Sequence, residues 1–201
     1  MNGSPELDPL DLTVRELLDQ VAARTPAPGA GAVAAIVVAL AASLTGMSAR
    51  FSARGDDSAA AEAEAVGTRA DVLRRLAAPL AKADIEAYRR VLESSAPDGS
   101  ATRRSSDTAL DEATRVPLEV AQIAVEVANL ASGVAQHGNP RLRGDATTAA
   151  VLGAAAAMCA AVLVAENLAE LPSDTRRAAA AELARQAREA SADVLQRYQH
   201  P

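Results

Sequence analysis

The chain has 201 residues, a formal net charge of -6, 49% hydrophobic residues and only 1% aromatic ones. That length supports one ordinary domain with a core of its own, and the scarcity of aromatics leaves Ala, Val and Leu to fill it, which suits close-packed helices better than sandwiches or barrels. The acidic balance argues against a nucleic-acid surface, which needs a basic stripe to meet phosphates.

In chain order, the N-terminal MNGSPELDPLDLTVREL carries acids and lacks a basic region followed by an apolar run, so no signal peptide is expected. Thr13 and Glu16 have the spacing of a capping box, and Leu17, Leu18 and Val21 form an apolar stripe behind them, which predicts a first helix. RTPAPGAG breaks it, and a second helix is predicted from about Gly31 to Ser52. A third covers roughly Ser58 to Ser95 with a kink near Pro79, and SSAPDGSATRRSS reads as a loop. The fourth runs from about Asp107 to Gln136 with Pro117 as an internal kink, and HGNPRLRGD is the next loop. The fifth covers Asp145 to Glu170, and Ser173 or Asp174 caps a sixth. Cys159, the only cysteine, rules out a disulfide framework or a cysteine metal site and is expected as a small apolar core residue. No alternating strand pattern and no solenoid repeat is found. The expected fold is therefore all-α: one domain over 1–201, an antiparallel bundle of about six helices.

Residues 25–49 and 146–165 are uncharged over membrane-spanning lengths. Both are dominated by Ala, Gly, Ser and Thr, which drive insertion weakly, and neither has an aromatic belt. They are expected as two central buried helices of a cytoplasmic protein with no membrane segment, paired with a second subunit.

Four places can carry chemistry. In TPAPGAG, prolines hold the entering chain extended and Gly29 and Gly31 let the backbone approach a neighbour. The N–H groups of the following helix suit an anionic or carbonyl group of a ligand, while an ordinary helix start remains the plainer alternative. Asp84 lies beside an apolar stripe of Leu80, Ala87, Tyr88 and Val91, where it needs a partner or a ligand unless it faces solvent. HGNPRLRGD gathers His137, Asn139, Arg141, Arg143 and Asp145 ahead of the second apolar helix. Asp145 is there either an N-cap or an acid–base group with a raised pKa, and His137 and His200 are expected as solvated end residues. Asn167, after the apolar run, can hydrogen-bond a ring or cap a neighbouring helix.

Taken in order, TPAPGAGAVAA, DIEAYRRV, ATRVPLEVA, GNPRLRGD and AENLAEL closely resemble the folate-dependent cyclodeaminase and cyclohydrolase family, from about Leu12 to Leu171. The resemblance implies a homodimer with the central helices at its interface, and a tetrahydrofolate derivative bound as substrate near the Gly-rich turn, with no metal and no redox cofactor. Pro28, Gly29 and Gly31 match the family's Pro-Gly-Gly-Gly-Ser turn, with Ala30 for its middle glycine and Ala32 for its serine. Asp84 matches the aspartate followed four positions on by an aromatic, here Tyr88. Asn139 and Asp145 match the loop pair, with Gly144 where the family has serine, and Asn167 matches the later asparagine, while Leu163 replaces an earlier polar residue. The loop from Ser94 to Thr102 lacks the family's Pro-Lys pair. The implied assignment has Asp145 and Asp84 handling protons and Pro28, Gly29, Gly31, Asn139, Arg143 and Asn167 binding the folate. The reaction implied is hydrolysis of 5,10-methenyltetrahydrofolate to the 10-formyl compound, because no formiminotransferase domain is fused to supply a formimino substrate. The alternatives are formiminotetrahydrofolate cyclodeaminase, which releases ammonia, and a non-catalytic folate- or partner-binding dimer of the same fold.

Overall fold

The computed structural model describes residues 8–53, 57–94 and 103–199. The start of the N-terminal segment, the Ser95–Thr102 part of the predicted loop and His200 lie outside the described residues. Among the described residues there is no strand, and the helices are α1 (Val14–Ala22), α2 (Ala30–Arg50), α3 (Asp57–Ala77), α4 (Leu80–Ser94), α5 (Arg103–His137), α6 (Arg143–Asn167) and α7 (Thr175–Gln199). A 3-10 turn, Pro140–Leu142, leads into α6.

The all-α expectation holds, with one local correction. The predicted third helix is two, α3 and α4, because Pro79 has no N–H to continue the ladder and its ring crowds the preceding turn. In contrast, α5 runs unbroken past Pro117, which is fully buried. The predicted capping box forms at Thr13, whose backbone N–H donates to Glu16 Oε2 at 2.8 Å. Nevertheless α1 buries no residue, and Val14, Leu18 and Val21 stay exposed.

The centre of the bundle is made by α2, α5 and α6, with α7 against α5 and α6, and α3 and α4 against α2. Its core is mostly alanine and valine, including Ala35, Val38, Ala42, Ala121, Ala124 and Ala157, none of them measurably exposed. Small side chains permit this close approach. Gly153 is one such place, since a Cβ there would stand 3.1 Å from the Ala124 carbonyl oxygen and the Ala128 nitrogen.

The two central apolar helices are not enclosed on every side. Val33, Leu40 and Met47 on α2 and Met158 and Val162 on α6 are exposed, as is Cys159, so the expectation of a buried core cysteine is corrected. Its position on α6 turns it to the uncovered side of the helix. By length and composition three segments, Ala30–Arg50, Ser105–His137 and Pro140–Asn167, are apolar enough to cross a membrane, α5 having escaped notice because its charges are spread thinly. About half of each lies buried inside the chain.

Candidate active site

The site begins with the turn before α2. Pro26 and Pro28 fix the chain as it enters, and the Ala27–Pro28 peptide is cis. Gly29, the N-cap residue of α2, has no side chain to accept from the first free N–H groups of the helix. That role is taken from a distance by Asp84 on α4, whose Oδ2 accepts from the Ala32 backbone N–H at 3.0 Å. A carboxylate over a helix N-terminus meets both the free donor and the positive end of the helix dipole. The α2 N-terminus, expected to receive a ligand's anion, thus already holds one of the protein's own.

Gly31 makes this possible. A Cβ on residue 31 would fall within van der Waals overlap of both Asp84 carboxylate oxygens. The close approach expected of the Gly-rich turn is therefore made by Asp84. Burial raises the Asp84 pKa above the ordinary carboxylate value, and the Ala32 hydrogen bond opposes that rise in part.

Beside Asp84 lies a cavity of about 310 Å³ between the α2 turn, α4, α5 and the end of α6. Gly29, Gly31, Asp84, Tyr88, Leu163 and Asn167 are on its wall, with apolar residues of α4 and α5 completing it. Tyr88 is one helical turn after Asp84 and so shares its face. No Lys, Arg or His lines the cavity among the described residues. Two of the noted departures, Ala30 and Leu163, face it, whereas the Ala32 methyl lies wholly in the core and only its N–H serves the site.

Asn167 owes its place to Pro117. A proline at 117 offers no N–H to the carbonyl of residue 113, four positions earlier. Asn167 Nδ2 donates to that Ala113 oxygen at 2.7 Å, closing the gap in α5 from the last residue of α6. The end of α6 is held in turn by Arg177, whose Nη1 donates to the Ala165 and Leu168 carbonyls at 2.7 and 2.8 Å. Asp174 caps α7 as expected, accepting from the Arg176 backbone N–H at 2.9 Å, and the Arg176 guanidinium holds its carboxyl down to about 2.

The remaining predicted residues lie elsewhere. The Asn139 N–H donates to Ser52 Oγ at 2.8 Å and its Nδ2 to the Phe51 carbonyl at 3.0 Å, which ties the α5–α6 loop to the far end of α2. Its Oδ1 accepts from the Arg141 N–H at 3.1 Å, so the amide fixes the loop. His137 ends α5, exposed as expected. Asp145 is not the N-cap of α6: the helix starts at Arg143 with Leu142 in the cap position, because the 3-10 turn after Pro140 leads straight into it. Asp145 instead stands half-buried in the first turn. Arg143 has a buried Nε, and Thr147 and Ser48 have buried hydroxyls, with no hydrogen-bond partner among the described residues.

Within one chain, then, Pro28, Gly29, Gly31, Asp84 and Asn167 gather at one end of α2, while Asn139, Arg143 and Asp145 gather at the other. At 1.5 Å per residue the 21 residues of α2 separate them by about 30 Å. Sequence order carries no sign of this, because it does not say at which end of the bundle a loop sits. The contributions of Ala113 and Ser52 were also missed; Ala113 was within reach of the rule that an internal proline orphans the carbonyl four residues before it.

Residues 13–189 match the family described as formiminotransferase-cyclodeaminase. The methenyltetrahydrofolate cyclohydrolase of Methylorubrum extorquens is 31% identical over 159 residues, covering 75% of this chain and 76% of its own. The crystal structure of formiminotetrahydrofolate cyclodeaminase from Thermotoga maritima superposes with a TM-score of 0.80 at 29% identity, over 94% of each chain.

Proposed function

This chain belongs to the formiminotransferase-cyclodeaminase family, and from that premise we propose that it is a folate-dependent enzyme hydrolysing 5,10-methenyltetrahydrofolate to 10-formyltetrahydrofolate. The observation that carries this reading is Asp84: a part-buried carboxyl with a raised pKa, held at the α2 turn and opening on a cavity that, among the described residues, has no basic side chain on its wall. The methenyl bridge is cationic, and a cavity with one carboxylate and no cation complements it. The named activity of the Methylorubrum extorquens relative supports the same choice.

Hydrolysis needs a base for the attacking water and an acid for the departing nitrogen. As the water oxygen bonds to the bridge carbon, one of its protons passes to Asp84. The adduct then forms a C=O bond, its hydroxyl proton leaving to solvent, while the bond from carbon to N5 breaks and N5 takes the proton that Asp84 holds. The formyl group stays on N10 and one proton is released overall. A carboxyl with a pKa moved toward neutrality serves in both directions. Tyr88 and Asn167 position the ring system, and holding the bridge carbon against the water supplies much of the rate. The chain acts as one domain over 1–201, in the cytoplasm, as a homodimer.

A second reading is cyclodeamination of 5-formiminotetrahydrofolate, favoured by the Thermotoga maritima structure that matches over 94% of the chain. There N10 attacks the formimino carbon and Asp84 protonates the leaving ammonia. The test is to add purified protein to 5,10-methenyltetrahydrofolate and follow loss of its absorbance against a protein-free control, with Asp84→Asn alongside. Loss above control that disappears in Asp84→Asn supports the hydrolase. No acceleration there, with ammonia released from 5-formiminotetrahydrofolate, selects the deaminase; silence on both removes the enzymatic reading.

A further inference from the structure

A second cavity, of about 450 Å³, opens at the other end of α2, in the cleft between the first half of α3 and the last turns of α5. Its volume lies within the roughly 300–1,000 Å³ of small-molecule sites. Ala63 and Val66 of α3 and Leu130 and Val134 of α5 give it an apolar floor. Between them lies a gap that packing does not require. Gly133 stands inside α5, where a glycine weakens the helix, yet a Cβ there would meet nothing within 4 Å. At Gly153, by contrast, backbone atoms of α5 press on the place of a Cβ. The side chain that Gly133 lacks would project into open space, so its absence keeps the middle of the cavity free.

The ion pair between Arg69 and Glu126 fixes how the two helices face each other. α3 starts and α5 ends beside the last turn of α2, so they run antiparallel. Two turns from that pair in each helix come Glu62 and Gly133, which sets the Glu62 carboxylate across the gap that Gly133 leaves. Glu62 has no ion-pair partner among the described residues. Arg69 and Arg50 are engaged elsewhere, with Glu126 and with Asp71 and Glu64. One turn on from Gly133, His137 places Nδ1 3.2 Å from the Gly133 carbonyl oxygen. A carbonyl only accepts, so in the neutral ring Nδ1 carries the proton and Nε2 is left as an acceptor. No Lys or Arg lines the cavity among the described residues. The C-termini of α2 and α5 converge on it against the one N-terminus of α3, so the backbone dipoles favour a cation on balance.

We propose that this cavity is a second ligand site, and that it takes a small organic amine: an apolar body on the floor of Val66, Leu130 and Val134, a protonated nitrogen on Glu62, and an N–H donated to His137 Nε2. An apolar floor with a few convergent polar groups is the usual make-up of a small-molecule site. A carboxylate or phosphate ligand would meet a like charge there and no Lys or Arg to offset it. The site stands at the opposite end of the 21-residue α2 from Asp84, about 30 Å away, so both cavities can be filled at once.

Tryptamine is the probe, and the His137 imidazole reports on it. The chain has two histidines, so in a His200→Gln parent the NMR signals of labelled histidine belong to His137. Tryptamine should shift them saturably, with a Kd of about 1 mM or tighter, and indole-3-propionate, the same ring on a carboxylate, should bind about 10-fold more weakly or not at all. Glu62→Gln, an exposed substitution that leaves the fold alone, should weaken tryptamine about 3- to 10-fold. Gly133→Leu fills the gap with a better helix former, so it should abolish binding while its Tm equals or exceeds the parent's. Asp84→Asn should bind tryptamine as the parent does. An absent or non-saturating shift in the parent overturns the proposal, as does equal binding of indole-3-propionate or an unchanged Kd in Glu62→Gln. Binding that survives Gly133→Leu and is lost in Asp84→Asn puts the amine in the Asp84 cavity and overturns it too. Folate turnover enters none of these readings, so the amine site and the Asp84 reaction stand or fall separately.

Discussion

The Asn167 side chain donates to the Ala113 carbonyl oxygen at 2.7 Å, and this is the one carbonyl in α5 that Pro117 leaves without a helical donor. A feature that weakens α5 by itself thus becomes the attachment that fixes the end of α6 on the wall of the candidate site.

That coupling is measurable. Asn167→Ala should destabilise the fold by about 0.5–1.5 kcal/mol, because it removes the hydrogen bond on a part-buried carbonyl. Pro117→Ala restores the N–H of residue 117, so in that background Asn167→Ala should cost less, with a coupling of about 0.5–2 kcal/mol in a double-mutant cycle from urea unfolding. Additive effects would mean that the two residues do not share the Ala113 oxygen.

Gly31→Ala puts a methyl where the Asp84 carboxylate now lies. The flexible carboxylate is the group that yields, losing its bond to Ala32. The expected outcome is a stability loss of about 1–3 kcal/mol and a fall in turnover of about 100-fold or more as the proton-handling group moves. Gly29→Ala is the control: the nearest atom to its Cβ is the Pro26 carbonyl oxygen at 3.9 Å, so it should change stability far less.

The raised pKa of Asp84 has a fixed consequence for stability. The native state holds the proton more tightly than the unfolded chain, whose carboxyl titrates near 4. This contribution is complete below that pH and is lost as pH rises through the native pKa. Relative to Asp84→Asn, whose amide oxygen can still accept from Ala32, the parent should therefore lose stability from about pH 4 upward and then level off. Urea unfolding of both proteins from pH 4 to 8 reads the difference directly; a gap that widens in the parent's favour as pH rises would mean that a cation near Asp84 outweighs its burial.

The loop at the far end of α2 depends on Ser52, which accepts from the Asn139 N–H at 2.8 Å. Ser52→Ala should destabilise by about 0.5–1.5 kcal/mol, since the hydrogen bond it removes is part-buried. Urea unfolding of the variant beside the parent checks this; unchanged stability would mean that the loop does not depend on Ser52.

Local signals were readable from the sequence because they depend on neighbours in the chain. Thr13 and Glu16 gave the capping box, the period of Leu17, Leu18 and Val21 gave α1, and the composition gave an alanine-filled all-α core. Pro79 and Pro117 look alike in sequence, yet one divides a helix and the other does not. The difference is tertiary: Asn167, 50 residues away, supplies the donor that Pro117 lacks. In the same way the string of motifs from Gly29 to Asn167 identified the candidate residues but not their grouping. Which residues share a site is set by the direction in which α5 and α6 run past α2, and that direction puts Asp84 and Asp145 at opposite ends. Cys159 and Leu40 stand in uniformly apolar stretches that give no hint of which side is covered. Only packing decides it, because α6 has neighbours on α2, α5 and α7 and none on the side that Cys159 faces.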